Sequence, residues 1–306
     1  MPNAESPCFV FPGQGSQEVG MGKLLLETSP AAVEIFEQAE AVLTKLGWKS
    51  QLRNLCLLGP ADTLNDTSFA QPALLTVSIA MERTLASQGI TPVAATGHSM
   101  GEYSALVATK VLRFENAVYL VSERGRLMKQ AGEKNPGKMA VILGLSVAST
   151  ETLCNRLISA NPGSNVQIAN INAPNQIVIS GDSEAVQNAH GFAQELGARK
   201  TILLPISIAA HSAHMQPVVD EMRHVLSSIP LFQPKVPFYS PTSGRQETDP
   251  KSIYFLLISQ LTGRVLWMDT IQQMIRDGYN SFLEVGPKKV LSGLIHTINP
   301  NVQVTS

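Results

Sequence analysis

A short apolar run, Pro92-Val93-Ala94-Ala95-Thr96, passes directly into Gly97-His98-Ser99-Met100-Gly101 and then into the helix-forming Glu102-Tyr103-Ser104-Ala105-Leu106-Val107-Ala108. Strand, tight turn and helix in that order constrain the chain strongly, because such a unit is stable only when its helix packs back on a mainly parallel sheet. The same rhythm recurs. Cys8-Phe9-Val10-Phe11 reads as a buried strand by its brevity and bulk and runs into Pro12-Gly13-Gln14-Gly15-Ser16. The last third continues with strand and helix candidates at Val236–Tyr239, Lys251–Leu261, Ser281–Val285 and Lys288–Ile298. The fold class is therefore α/β.

Between residues 132 and 205 the rhythm changes. Candidate elements are Lys138–Gly144, Ser149–Ala160, Val166–Ile171, Gln176–Ser180, Ser183–Leu196 and Lys200–Pro205, with a turn at Asn172-Ala173-Pro174-Asn175. Their order, βαββαβ, is the ferredoxin-like pattern. The chain thus divides into a large α/β domain from 1–131 and 206–306, with a small ferredoxin-like domain inserted at 132–205. Ser240-Pro241-Thr242-Ser243-Gly244-Arg245 is a loop by composition.

Composition excludes several classes. A formal net charge of -1 provides no global field for nucleic acid or anionic lipid. Cys8, Cys56 and Cys154 are widely spaced and form neither a disulfide framework nor a zinc ribbon, which fits a reducing cytoplasm. Met1–Pro12 lacks a basic n-region, and apolar runs such as Ala73–Ala80 stop well short of the ~18 residues that a membrane span needs.

Gly97-His98-Ser99-Met100-Gly101 matches G-x-S-x-G, the strand-to-helix elbow of α/β-hydrolase-like sheets, which exposes a serine hydroxyl. The N–H of Met100 and the positive end of the following helix then lie where negative charge develops on a substrate carbonyl. A serine needs a base, and the chain has six histidines. His98 adjoins the serine and shapes the pocket rather than acting as base. His190 and His224 lie in charged helical surroundings, and His296 lies near the end of a helix. His211 and His214 follow the apolar stretch Ile202–Ile206 at the start of a helix, and of the two His211 is the better base. The His-x-x-His pair lacks a third ligand, so no metal is expected.

Several motifs then agree in order and spacing: Phe11-Pro12-Gly13-Gln14-Gly15-Ser16-Gln17, Gln71-Pro72-Ala73-Leu74, Gly97-His98-Ser99-Met100-Gly101-Glu102, Arg124-Gly125 with Leu127-Met128, and Glu284-Val285-Gly286-Pro287 leading to Val290-Leu291. On these the chain resembles the malonyl-CoA:acyl carrier protein transacylase family of fatty acid or trans-acting polyketide synthesis, over essentially its whole length. The resemblance implies that Ser99 is acylated with His211 as base, and that the N–H groups of Gln14 and Met100 form the oxyanion hole. It implies that Arg124 pairs with the free carboxylate of malonate, that Gln71, His98 and Ala210 line the pocket, and that a backbone carbonyl near Gln260 orients the histidine. By itself Arg124 reads as a solvated member of the Ser122-Glu123-Arg124-Gly125-Arg126 cluster. The partners implied are malonyl-CoA and an acidic acyl carrier protein, docked through Arg126, Lys129, Lys288 or Lys289. The resemblance further implies a monomer with no cofactor.

Three positions depart from the family pattern: Ala210 before the histidine, Ser240-Pro241-Thr242 after Tyr239, and Arg264. They leave the acyl group open between malonyl and a variant such as methylmalonyl. The rival readings are a carrier-protein acyl hydrolase and a non-catalytic carrier-binding module.

Overall fold

The computed structural model describes residues 6–49 and 51–306. Part of the leader reading of Met1–Pro12 lies outside them. In chain order the strands are β1 (Cys8–Phe11), β2 (Ala95–Gly97), β3 (Gly137–Leu143), β4 (Val166–Ala173), β5 (Gln176–Asp182), β6 (Lys200–Leu203), β7 (Phe238–Ser240), β8 (Arg245–Glu247), β9 (Ser281–Glu284) and β10 (Gln303–Thr305). They form a six-stranded sheet, β10-β9-β1-β2-β7-β8, and a four-stranded sheet, β4-β5-β3-β6.

The first sheet is parallel except at its β7-β8 edge. β1 is buried along its whole length, as a central strand covered on both faces must be. Its side chains split by alternation: Phe9 and Phe11 join the core under the helices Thr67–Ser87 and Phe114–Lys134, while Cys8 and Val10 face Trp267, Ile271 and Leu294 on the other side. The loop read at Ser240–Arg245 is bounded by strand at both ends, since Ser240 closes β7 and Arg245 opens β8. A short ladder with β7, Phe238 opposite Glu247, closes Ser240–Gly244 into a turn.

The second sheet is wholly antiparallel, and its order is that of a ferredoxin-like unit. The helix Phe114–Lys134 carries past residue 132, so the β-structure of this segment begins at Gly137. The helix expected over Ser183–Leu196 is two, Ser183–Gln187 and Ala189–Glu195, with Asn188 as the break. β6 is an edge strand, so Ile202 and Leu203 are exposed despite their apolar character. Within the described residues, no helix is long and apolar enough to cross a membrane.

The elbow glycines answer to crowding. A Cβ on Gly101 would sit 2.1 Å from the Phe11 carbonyl oxygen, and one on Gly97 would sit 2.0 Å from that of Gly101. Both contacts are with backbone, which cannot move aside. Gly101→Ala is expected to destabilise the fold by about 3 kcal/mol or more. Gly293→Ala, on the helix Val290–Ile298 with nothing within 4 Å, should stabilise it by roughly 0.5–1 kcal/mol. Thermal unfolding of the two variants against the parent checks both signs.

Candidate active site

Ser99 stands between the end of β2 and the helix Gly101–Ala108, every residue of which is buried. Its φ of 52° lies in the left-handed region, which a residue with a Cβ occupies at a cost of order 1–3 kcal/mol and only where the surroundings impose it. They do so here: the His98 N–H donates to the Phe11 carbonyl at 2.9 Å, and the Gly101 N–H donates to the His98 carbonyl at 2.9 Å. The turn is thus pinned to the end of β1, and the serine carries the strain that the sequence pattern assigns to its glycines.

His211 also has a left-handed backbone, with φ 57°. It precedes the short 3-10 turn Ala213–Met215 and the helix Gln216–Ser227 rather than beginning a helix itself. Its Nε2 lies 2.7 Å from Ser99 Oγ, and its Nδ1 lies 2.8 Å from the carbonyl oxygen of Gln260. A carbonyl only accepts, so Nδ1 carries the proton and Nε2 is left to accept from the serine. Gln260 caps the C-terminus of the helix Pro250–Ser259, where unpaired carbonyls concentrate negative potential. The helix end therefore stands where other serine enzymes place an aspartate. Burial, then the nearby Arg124 guanidinium, push the His211 pKa down to about 3, which keeps the imidazole neutral and leaves its Nε2 lone pair free to accept.

Arg124 comes from the helix Phe114–Lys134 and is only 2% exposed. The solvated reading fails because its neighbour Arg126 pairs with Glu123 on the outer face at 2.7 Å, while Arg124 points inward. Its Nη1 donates to Gln71 Oε1 at 2.7 Å, its Nη2 donates to Gln260 Oε1 at 2.9 Å, and Nη2 also lies 3.5 Å from Ser99 Oγ. Tyr103 presents its ring 5.8 Å from the guanidinium carbon. Burial lowers the Arg124 pKa, yet a guanidinium stays charged in proteins. No carboxylate lies within salt-bridge distance of this cation among the described residues.

Gln71 is fully buried and donates to Thr67 Oγ1 at 3.0 Å, and Thr67 donates in turn to Gln14 Oε1 at 2.7 Å. Among the described residues, neither the Gln14 nor the Met100 N–H donates to a protein acceptor. His98 turns away from His211: its Nε2 meets Asn172 Oδ1 at 2.8 Å, its ring packs on Trp267, and burial lowers its pKa. Ala210 is half-buried among Met139, Ala169 and Val178 of the second sheet. His214 faces Asp182 at 3.0 Å, not the ring of His211, so the two histidines do not converge on one point. His190, His224 and His296 are exposed. Of the basic residues expected at a docking face, Lys129 is paired with Asp66 at 2.6 Å and Lys288 donates to the Gln17 carbonyl at 3.2 Å.

Sequence reasoning misses two contributors. Glu102 is fully buried and accepts from Ser240 Oγ at 2.5 Å, from Thr242 Oγ1 at 3.4 Å and from Gln260 Nε2. The available signal is a charged residue three positions after the serine, on a helix that is otherwise without charge. Gln167 of β4 donates to the carbonyls of His211 and Thr262, both at 3.0 Å. Nothing in the sequence marks it, because that contact joins segments far apart in the chain.

A strained serine bonded to a neutral histidine, with a buried cation beside the serine, is an arrangement able to carry out acyl transfer. The model for the acyl transferase domain matches residues 8–304. The malonyl CoA-acyl carrier protein transacylase of Bacillus subtilis (strain 168) is 41% identical over 95% of this chain and 90% of its own length. The protein of the same name from Escherichia coli (strain K12) is 40% identical over 95% and 92%. Among solved structures, the malonyl CoA-acyl carrier protein transacylase of Coxiella burnetii superposes with a TM-score of 0.93 at 38% identity, covering 98% of this chain and 92% of that one. A malonyl-transacylase in complex with its type II PKS acyl-carrier protein does so with a TM-score of 0.93 at 35% identity, covering 99% and 96%. With a site of this chemistry and likeness along its full length, the chain belongs to the acyl transferase domain family, alongside the malonyl CoA-acyl carrier protein transacylases.

Proposed function

We propose that this protein transfers a malonyl group from malonyl-CoA to the phosphopantetheine thiol of an acyl carrier protein through a malonyl-Ser99 ester. The observation that carries the reading is the Arg124 guanidinium, buried and 3.5 Å from the nucleophile. Its fork of donors suits a carboxylate through two parallel hydrogen bonds, and a neutral acyl chain has no use for a desolvated cation.

In the first half-reaction Ser99 Oγ attacks the thioester carbon while its proton passes to His211 Nε2. The Gln14 and Met100 N–H groups receive the oxyanion, the carbon–sulfur bond breaks, and the coenzyme A sulfur takes the proton from His211. In the second, His211 accepts the carrier thiol proton, the sulfur attacks the ester carbon, and Ser99 leaves with that proton. Gln71 holds Arg124 from the side opposite Gln260. In this reading residues 1–131 and 206–306 form the catalytic domain and 132–205 an inserted one. Three buried free cysteines support a reducing compartment, the cytoplasm.

Intact-protein mass spectrometry after mixing with malonyl-CoA tests the proposal. The expected result is one malonyl adduct, absent from Ser99→Ala, that persists in buffer and moves to holo carrier protein. Loss at the same rate in buffer identifies a hydrolase. Labelling by methylmalonyl-CoA in place of malonyl-CoA moves the acyl preference to the branched unit.

A further inference from the structure

The site contains a buried carboxylate that the acyl-transfer steps above do not use. Glu102 is fully buried and touches neither Ser99 Oγ nor His211, and its hydrogen bonds come from Ser240, Thr242 and Gln260. Of these, Gln260 is the junction. Its backbone carbonyl holds His211 Nδ1, its Oε1 receives Arg124 Nη2 at 2.9 Å, and its Nε2 reaches both Glu102 Oε2 and the Ser99 carbonyl, the latter at 3.2 Å. A side-chain amide can sit in this slot two ways round. One way gives Arg124 Nη2 an acceptor; the other sets an NH2 against a guanidinium, donor to donor, and costs a buried cation one of its two amide acceptors. An ionised carboxylate, which only accepts, permits only the first.

We propose that Glu102 is a positioning residue whose carboxylate fixes the Gln260 amide, and through it holds the Arg124 fork in register for the substrate carboxylate and steadies the carbonyl that orients His211. The proposal rests on the malonyl-transfer reading above. It also locates the carboxylate expected of a serine–histidine pair: one residue removed from the imidazole, with a glutamine between.

The state of Glu102 matters because it accepts from Gln260 most strongly when ionised. Burial pushes its pKa up to about 7, against the pull of its hydrogen bonds and of Arg124. Arg124, from the helix Phe114–Lys134, is the charged group facing it. Tyr103, next to Glu102 on the helix Gly101–Ala108, is pushed up to about 12, and the His211 pKa is depressed to about 3. β7 and its turn contribute hydroxyls, and the helix Pro250–Ser259 contributes the Gln260 amide. A rise in kcat/KM for malonyl-CoA as pH passes through about 7 is then expected from Glu102, and Glu102→Gln, which cannot ionise, separates that limb from any set by His211.

The test compares the parent with Glu102→Gln, Glu102→Leu and Ser240→Ala, reading kcat and KM for malonyl-CoA and acetyl-CoA from pH 5.5 to 9. Glu102→Gln keeps an acceptor for Gln260 and a donor for Ser240, so malonyl transfer at pH 8 should stay within about threefold while the limb near neutrality disappears. Glu102→Leu should raise the malonyl KM and reduce malonyl-over-acetyl preference, each at least tenfold. Ser240→Ala removes a donor to the carboxylate, and the limb should move to higher pH. If Glu102→Leu keeps the parent's preference, or if Glu102→Gln and Ser240→Ala leave the limb in place, the proposal is overturned. Should Glu102→Leu not fold, Glu102→Gln and Ser240→Ala decide. A parent protein that forms no malonyl adduct refutes the transfer reading itself, a result distinct from any of these.

Discussion

Replacing Ser99 by alanine is expected to abolish the acyl adduct and lower transfer by roughly 10⁶-fold, the order seen when a serine nucleophile is removed from a comparable unit. The geometry behind this is the 2.7 Å bond to His211 and the 2.8 Å bond from His211 to Gln260, which make serine and histidine one device. His211→Ala should therefore lose nearly as much, and the double variant no more than either single one. Steady-state rates with malonyl-CoA and holo carrier protein, with adduct mass alongside, measure all three. Additive losses would show that the two side chains act separately. The fold should tolerate Ser99→Ala, because alanine occupies the left-handed conformation no less readily than serine and the elbow is held by backbone bonds.

Arg124→Met carries the second large effect. Loss of a buried, doubly bonded charge interaction with the substrate carboxylate costs about 4 kcal/mol, or ~10³-fold in kcat/KM for malonyl-CoA. Acetyl-CoA has no carboxylate, so its kcat/KM should hold or rise, and the preference should invert. The thioether replaces an ion in a buried pocket, and the volume is nearly kept, so stability should not collapse. Parallel labelling of Ser99 by the two thioesters gives the ratio directly. A malonyl rate that falls no more than the acetyl rate would place the carboxylate elsewhere.

The parts of this site visible in the sequence are those set by local chemistry. The elbow announces itself because strand, serine turn and helix are contiguous, and β1 because four bulky apolar residues end in a glycine loop. The second sheet is legible through the βαββαβ order of its short elements and the turn at Asn172–Asn175. Periodicity gives no comparable reading of Thr67–Ser87, since every residue from Ala70 to Ala80 is buried and the helix has no polar side in that stretch to mark its period. Arg124 reads as solvated by composition and as a ligand by resemblance, and only the packing of its helix shows that it faces inward. Glu102, Gln167 and Asn172 form contacts between residues 44 to 158 positions apart, which no local pattern encodes.

β4 belongs to one sheet and serves the other. Ile171 donates to the Val265 carbonyl at 2.9 Å, Val265 donates to that of Ala169 at 2.8 Å, and Gln167 joins His211 to Thr262. The nucleophile rides on the parallel sheet, while the main chain of its base is tethered to the antiparallel one. The reactive distance thus depends on the bonds of β4 as well as on those of Gln260, which ties the imidazole to the Ser99 carbonyl. A substitution in β4, in a different sheet from the serine, can therefore alter the serine–histidine distance.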